Sequence, residues 1–189
     1  MKNFAKVVLI LLFFGLILVF GYTKLISDNG NAQTRASAET QKNITDTNAE
    51  YVSIYLLTVK PNGENVFTKI PRILPKDKNK LTFAVMELLK GPNGVEINQK
   101  YYSEIPRDTK LLSVMENDKK VIINLTSNFQ YGGGSDSLYS RVQQLLKTVL
   151  ANSPKKDVYL YLDGKQADVL GGEGLMIKQP LDERSIFDD

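Results

Sequence analysis

Apolar residues fall along this chain in three regimes. From Val7 to Tyr22 they run without a charge (VVLILLFFGLILVFGY), from Ser27 to Ala49 they thin to alanines and one isoleucine, and from Tyr51 they recur with strand and helix periods. The first run has no polar face, which sets it apart from the surface helix of a globular domain. Sixteen helical residues cover about 24 Å. Extension to Ile26 brings this near the roughly 30 Å of a bilayer's hydrocarbon core, provided Lys24 snorkels to the headgroups. Lys2 and Lys6 precede the run, and the nearest small-residue cleavage pattern, Ala36-Ser37-Ala38, lies well downstream of Tyr22. Residues 1–26 are therefore expected to be an uncleaved signal anchor, a single transmembrane span with a cytoplasmic N-terminus. Residues 27–49 have nothing to bury and read as a flexible linker. Residues 50–189 are left as the folded, extracytoplasmic domain.

Within that domain the period changes repeatedly. Tyr51–Val59 (YVSIYLLTV) is β-branched and aromatic, a strand, and Pro61-Asn62-Gly63 turns it into a second strand over Asn65–Ile70, which Pro71 and Pro75 are expected to stop. Asn79 caps a predicted helix over Lys80–Lys90, with Leu81, Ala84, Val85, Leu88 and Leu89 on one face and Gly91-Pro92 at its end. A polar connection through Tyr101, Tyr102 and Pro106 follows. The order then repeats: a hairpin of Lys110–Glu116 and Lys120–Leu125 around Asn117-Asp118, a glycine loop, and a helix over about Ser137–Ala151. Ser135 or Asp136 would cap that helix, and Leu138, Val142, Leu145, Leu146 and Val149 form its apolar face. Asp157–Leu162 (DVYLYL) is a further strand turned by Asp163-Gly164, and the segment from Gly171 wraps the surface. The predicted class is α+β: a small mixed, largely antiparallel sheet with two helices on one face, in a ββαββαβ order.

Composition narrows the chemistry. The 189 residues hold no cysteine, histidine or tryptophan. Disulfides, thiolate metal sites, a cysteine nucleophile and a lipid-bearing cysteine are excluded, and the usual near-neutral proton carrier is missing. No cofactor is expected. The net charge of +3 belongs to the anchor: 24 bases stand against 21 acids overall, and Lys2, Lys6 and Lys24 in residues 1–26 leave 21 against 21 outside it. A nucleic-acid binder would carry a basic face, so nucleic acid is not an expected partner.

Several motifs then fall into a familiar order. Ser103-Glu104-Ile105-Pro106-Arg107-Asp108-Thr109-Lys110-Leu111-Leu112-Ser113-Val114 resembles the signature that opens a central strand in GerM domains, with Asp108 where the family has glycine. Leu88-Leu89-Lys90-Gly91-Pro92 resembles the family's helix end, and Val121 to Phe129 its next strand, with Asn124 where an aspartate is usual. The glycine loop before Ser135, Leu162-Asp163-Gly164-Lys165, Leu170-Gly171-Gly172 and Pro180-Leu181 follow in family order. The resemblance covers residues 51–183. It implies a cell-envelope α/β module similar to the ring-building domains of secretion and sporulation channels, acting by protein contact with no enzymatic activity. Expected partners are accordingly the membrane through its N-terminal span, an envelope protein or a second copy, and the cell wall.

The candidate sites are few. Tyr159 and Tyr161 share one face of a predicted strand, and with Tyr101 and Tyr102 they form a candidate interaction surface for a protein or a wall glycan; cross-strand packing explains them as well. Gly132-Gly133-Gly134-Ser135-Asp136 precedes a helix and would cradle an anion or merely admit the helix. Asp157, Asp163, Glu173, Asp182 and Glu183 would have to supply the acid/base pair of a wall hydrolase, although Asp163-Gly164 reads first as a turn. The acidic segment Asp182–Asp189, with its apolar pair Ile186-Phe187, reads as a docking peptide or as a frayed end.

Overall fold

The computed structural model describes residues 49–154 and 156–182. The expected anchor over 1–26 and, save for Ala49, the linker over 27–49 lie outside them. Among the described residues no helix is long and apolar enough to cross a membrane.

The described chain builds β1 (Tyr51–Val59), β2 (Asn65–Ile73), α1 (Lys80–Lys90), α2 (Gly94–Asn98), β3 (Leu111–Glu116), β4 (Lys120–Leu125), a 3-10 turn (Ser127–Gln130), α3 (Ser135–Asn152), β5 (Asp157–Leu162), β6 (Lys165–Gln166), β7 (Val169–Leu170) and β8 (Leu175–Met176). This is the mixed α+β class the periodicity predicts. The single expected sheet divides, however, into a β1-β2 hairpin, a four-stranded sheet ordered β3-β4-β5-β6, and a short β7-β8 pair. All neighbours are antiparallel except β4 and β5. Those two run parallel because α3 carries the chain back between them, as a parallel pair requires.

One core joins these parts. It takes Ile54 and Leu56 from β1, Leu81, Val85 and Leu88 from α1, and Leu138, Val142, Leu145, Leu146 and Val149 from α3. The inner positions of β4 and β5, namely Val121, Ile123, Leu125, Val158, Leu160 and Leu162, close it together with Phe129. Burial of each such side chain contributes about 1.5–3 kcal/mol. Both long helices thus serve the inner face of the four-stranded sheet, and residues 49–182 carry a core of their own.

Three local expectations are corrected. β2 runs through Pro71 to Ile73, opposite Ser53 to Tyr51. Lys60 N donates to Glu64 O, and alternation from that pair makes Ser53–Pro71 a non-hydrogen-bonded pair. Pro71's nitrogen therefore faces the outer edge, where a missing N–H costs nothing. The polar connection after α1 contains α2, whose Asn93 side chain accepts from Glu96 N while the Glu96 side chain accepts from Asn93 N, a capping box. Helix α3 begins at Ser135 with Gly134 at its N-cap and no side-chain cap, rather than behind Ser135 or Asp136.

The free edge of β1 is covered in an uncommon way. The alternation that turns Pro71 outward also turns the N–H and C=O of Ser53, Tyr55 and Leu57 away from β2. Leu57 exchanges backbone hydrogen bonds with Tyr102 at 2.9 Å each way. The other two residues are met by a polar stripe on α3. Thr148 Oγ1 accepts from Tyr55 N (3.0 Å), Asn152 Oδ1 accepts from Ser53 N (3.0 Å), Asn152 Nδ2 donates to Ser53 O (2.7 Å), and Gln144 Nε2 donates to Tyr55 O (3.0 Å). Gln144, Thr148 and Asn152 stand four apart and so lie one above another along the helix. A helix here takes the place of a neighbouring strand.

A charged clamp ties β2 to the helices. Arg72 makes two bonds to Glu96, 2.6 and 2.7 Å, and its Nε lies 3.5 Å from Glu87. Burial pushes the Glu96 carboxyl upward, but the Arg72 bonds and the Asn93 N–H outweigh it and hold the pKa below the ordinary carboxylate value.

Candidate functional site

Helices cover only the inner face of the four-stranded sheet. On the outer face the register places Met115, Ile122 and Tyr159 in one row, and Ser113, Asn124, Tyr161 and Gln166 in the next. Met115 is 54% exposed, and Ile122, Tyr159 and Tyr161 are half-buried. This row of an apolar thioether, an aliphatic group and an aromatic ring has no covering element among the described residues.

The four candidate tyrosines separate into two pairs. Tyr159 and Tyr161 stand together on that outer face. Tyr101 packs against the core cluster, and Tyr102 is tied to β1 through Leu57 and donates its hydroxyl to Asn65 Oδ1 at 2.8 Å. Burial, followed by the nearby Glu104 carboxylate, raises the Tyr102 phenol's pKa. Tyr101 and Tyr102 thus belong to the segment that closes the β1 edge and do not join the outer-face surface.

A second feature went unread in the sequence. Strand β3 is the outermost strand of its sheet. Asn117 N donates to Lys120 O, so alternation along the hairpin turns the backbone groups of Val114 and Glu116 away from β4. A bulge between Leu111 and Ser113 leaves Leu112 as the extra residue. Beside this edge, between β3 and α1, lies a groove of about 540 Å³, whose walls include Met86 and Lys90 of α1 and Arg107, Thr109, Lys110 and Leu112. Met86 and Leu112 are 46% and 49% exposed. Arg107 and Lys110 form no ion pair among the described residues, and Lys90 is held by Glu87 at 2.5 Å. The Thr109 hydroxyl is buried with no hydrogen-bond partner. The available signal was the charge pattern of Arg107-Asp108-Thr109-Lys110 ahead of an edge strand.

The glycine loop serves α3 itself. Arg141 is 3% exposed, and its guanidinium donates to Phe129 O, Tyr131 O and Gly132 O. Burial lowers the Arg141 pKa, and Glu104 opposes that shift. At the helix start Ser137 Oγ donates to Glu104 (2.6 Å) and Ser135 Oγ to Glu173 (3.4 Å). The loop therefore engages side chains of this chain, and the helix-entry reading accounts for it. Of the carboxylates considered for acid/base work, Asp163 sits in its turn at φ 47° and accepts from Ser127 N, Glu173 meets Ser135, and Glu183 lies outside the described residues. No group of three or more metal-ligating side chains assembles among the described residues.

Fold and surfaces together define, among the described residues, a small α+β module whose four-stranded sheet has one helix-covered face, one open face and a free edge along β3. The chain belongs to the Germane family, described as sporulation and spore germination, whose model matches residues 53–168. Among solved structures it is similar to the first GerMN domain of the sporulation protein GerM from Bacillus subtilis, with 21% identity and a TM-score of 0.54 over 71% of this chain and 98% of that one. It is also similar to a candidate lipoprotein from Clostridium perfringens, with 21% identity and a TM-score of 0.50 over 73% of this chain and 90% of that one. Against the tandem GerMN domains of the same Bacillus protein the identity is 20% and the TM-score 0.50, over 68% of this chain and 44% of that one. At these identities the likeness is one of fold. No curated protein matches the chain.

Proposed function

We propose that this chain is a membrane-anchored, non-enzymatic assembly module. It holds one Germane domain on the outer side of a cytoplasmic membrane, where the domain acts by protein–protein contact in an envelope process of the sporulation or germination type. The observation that carries this reading is the uncovered Met115–Ile122–Tyr159 row beside the free edge of β3. Exposed apolar rows and open edges are the surfaces through which β-containing domains associate. The charge-free run Val7–Tyr22 and the linker behind it support the tethered placement.

A contact module is expected to grow in mean mass with concentration when residues 49–189 are followed by light scattering, and Met115→Glu on the outer face is expected to reverse that growth without changing the melting temperature. A strict monomer at every concentration, with no partner protein restoring mass, would remove self-assembly. The second reading, a wall-glycan or peptide module, rests on the adjacent rings of Tyr159 and Tyr161. It requires co-sedimentation with purified wall that Tyr159→Ala with Tyr161→Ala abolishes.

A further inference from the structure

We infer that the groove between β3 and α1 receives the acidic segment 183–189 of a second copy of this chain as an added strand. The inference deepens the assembly reading and rests on it. Two observations point to a ligand there, and a third says which.

The first is the unpaired edge. Val114, in the groove wall, and Glu116, beyond its end, direct backbone donors and acceptors away from β4, and an extended peptide laid along them completes their hydrogen bonding. The second is Thr109, a residue of the groove wall that is 4% exposed, whose buried hydroxyl has no partner. Buried hydroxyls are normally bonded, and an incoming carboxylate or carbonyl supplies what this one lacks.

The third is complementarity. The groove walls hold three cations, Lys90, Arg107 and Lys110, no acid, and the exposed apolar side chains Met86 and Leu112. Residues 183–189 read Glu-Arg-Ser-Ile-Phe-Asp-Asp, three acids and one base around an apolar pair. Ile186 and Phe187 suit the Met86–Leu112 patch, and Asp188 and Asp189 suit Arg107 and Lys110.

Length argues for a second copy. Leu181 N donates to Val158 O at 2.7 Å, on the side of β5 that faces away from β4. Travel from there across β5, β4 and β3 to the groove spans about four strand spacings, roughly 19 Å, which uses about six extended residues. In its own groove the chain would spend Ile186 and Phe187 on that crossing, and the apolar pair would not lie along Met86 and Leu112. The segment of another copy arrives without that crossing, and head-to-tail contacts of this kind build rings or chains.

The test uses the folded unit, residues 49–182, and a labelled peptide of sequence Asp182–Asp189. Saturable binding is expected. Arg107→Glu with Lys110→Glu should weaken it at least tenfold, Leu112→Glu at least threefold, and added salt progressively. These side chains are exposed, so an unchanged thermal melt confirms that each variant folds. No saturable binding up to millimolar peptide, or binding indifferent to the charge reversals, overturns the inference. Light scattering of residues 49–189 against 49–182 separates it from the broader reading. Mass growth lost on deletion supports it. Growth unaffected by deletion overturns the docking but leaves assembly through another surface standing. Peptide binding by residues 49–182, with a 49–189 chain that stays monomeric and no longer takes the peptide, means that the segment fills its own groove, which overturns the second-copy arrangement.

Discussion

A chain carrying Thr148→Val and Asn152→Leu together is expected to lose about 3 kcal/mol of stability or more. Neither substitution removes a side-chain heavy atom, so the loss does not come from a cavity. It comes from β1. Ser53 N, Ser53 O and Tyr55 N bond to these two side chains and to nothing else on that edge. A backbone group stripped of its partner in a part-buried setting costs about 1–3 kcal/mol, and three are stripped at once. Urea unfolding measures the total, and native-state hydrogen exchange at the Ser53 and Tyr55 amides locates it. A loss under about 1 kcal/mol with unchanged exchange would mean that solvent reaches this edge and that α3 does not serve as its neighbour. Gln144→Leu should add to the effect, because Gln144 also accepts from Glu104 N at 2.9 Å and so links β1 to the segment leading into β3.

The second large effect is Gly133→Ala, expected to cost about 3 kcal/mol against about 1 kcal/mol for Gly132→Ala. Both glycines sit at left-handed φ, +75° and +72°, where a side chain costs about 1–2 kcal/mol. They differ in space. A Cβ on Gly133 would meet Ser137 Oγ at 2.5 Å, Ser137 Cβ at 2.6 Å and Arg141 Nη2 at 2.9 Å, whereas one on Gly132 meets nothing within 4 Å. The Ser137 Cβ is fixed to the first turn of α3, so relief requires the helix start to shift and Arg141 to leave its carbonyls; such overpacking adds about 1–3 kcal/mol. Equal midpoints for the two variants in thermal unfolding would show that the loop yields freely.

Much of this fold was legible in the sequence because the local signals agree with one another. Tyr51–Val59, the Asn79-capped helix Lys80–Lys90, and strands Lys120–Leu125 and Asp157–Leu162 stand where period and punctuation place them. What escaped was decided by partners distant in sequence. Pro71 looks like a strand stop until its nitrogen is known to face the open side of an edge strand. Gln144, Thr148 and Asn152 look like a solvated helix face until β1, some 90 residues earlier, is laid against them. Helix α2 was within reach, since Asn93 and Glu96 have capping-box spacing. The tyrosines were half legible: the period of two gives Tyr159 and Tyr161 a shared face, while sequence adjacency could not reveal that Tyr101 and Tyr102 close the edge of β1. The groove along β3 left only the charges around Arg107 and Lys110 as a trace in the sequence, since a free edge exists only once strand order is known.

The central claim is that this domain works by touching other protein through β3 and the outer sheet face. The most direct measurement places a photo-crosslinking residue at Leu112 or Met115 in the 189-residue chain expressed in cells, with Met176, 78% exposed on β8, as the control position. The account predicts discrete protein adducts from Leu112 and Met115 and few from Met176. Adducts absent at the first two positions, or equal in yield at all three, would contradict it.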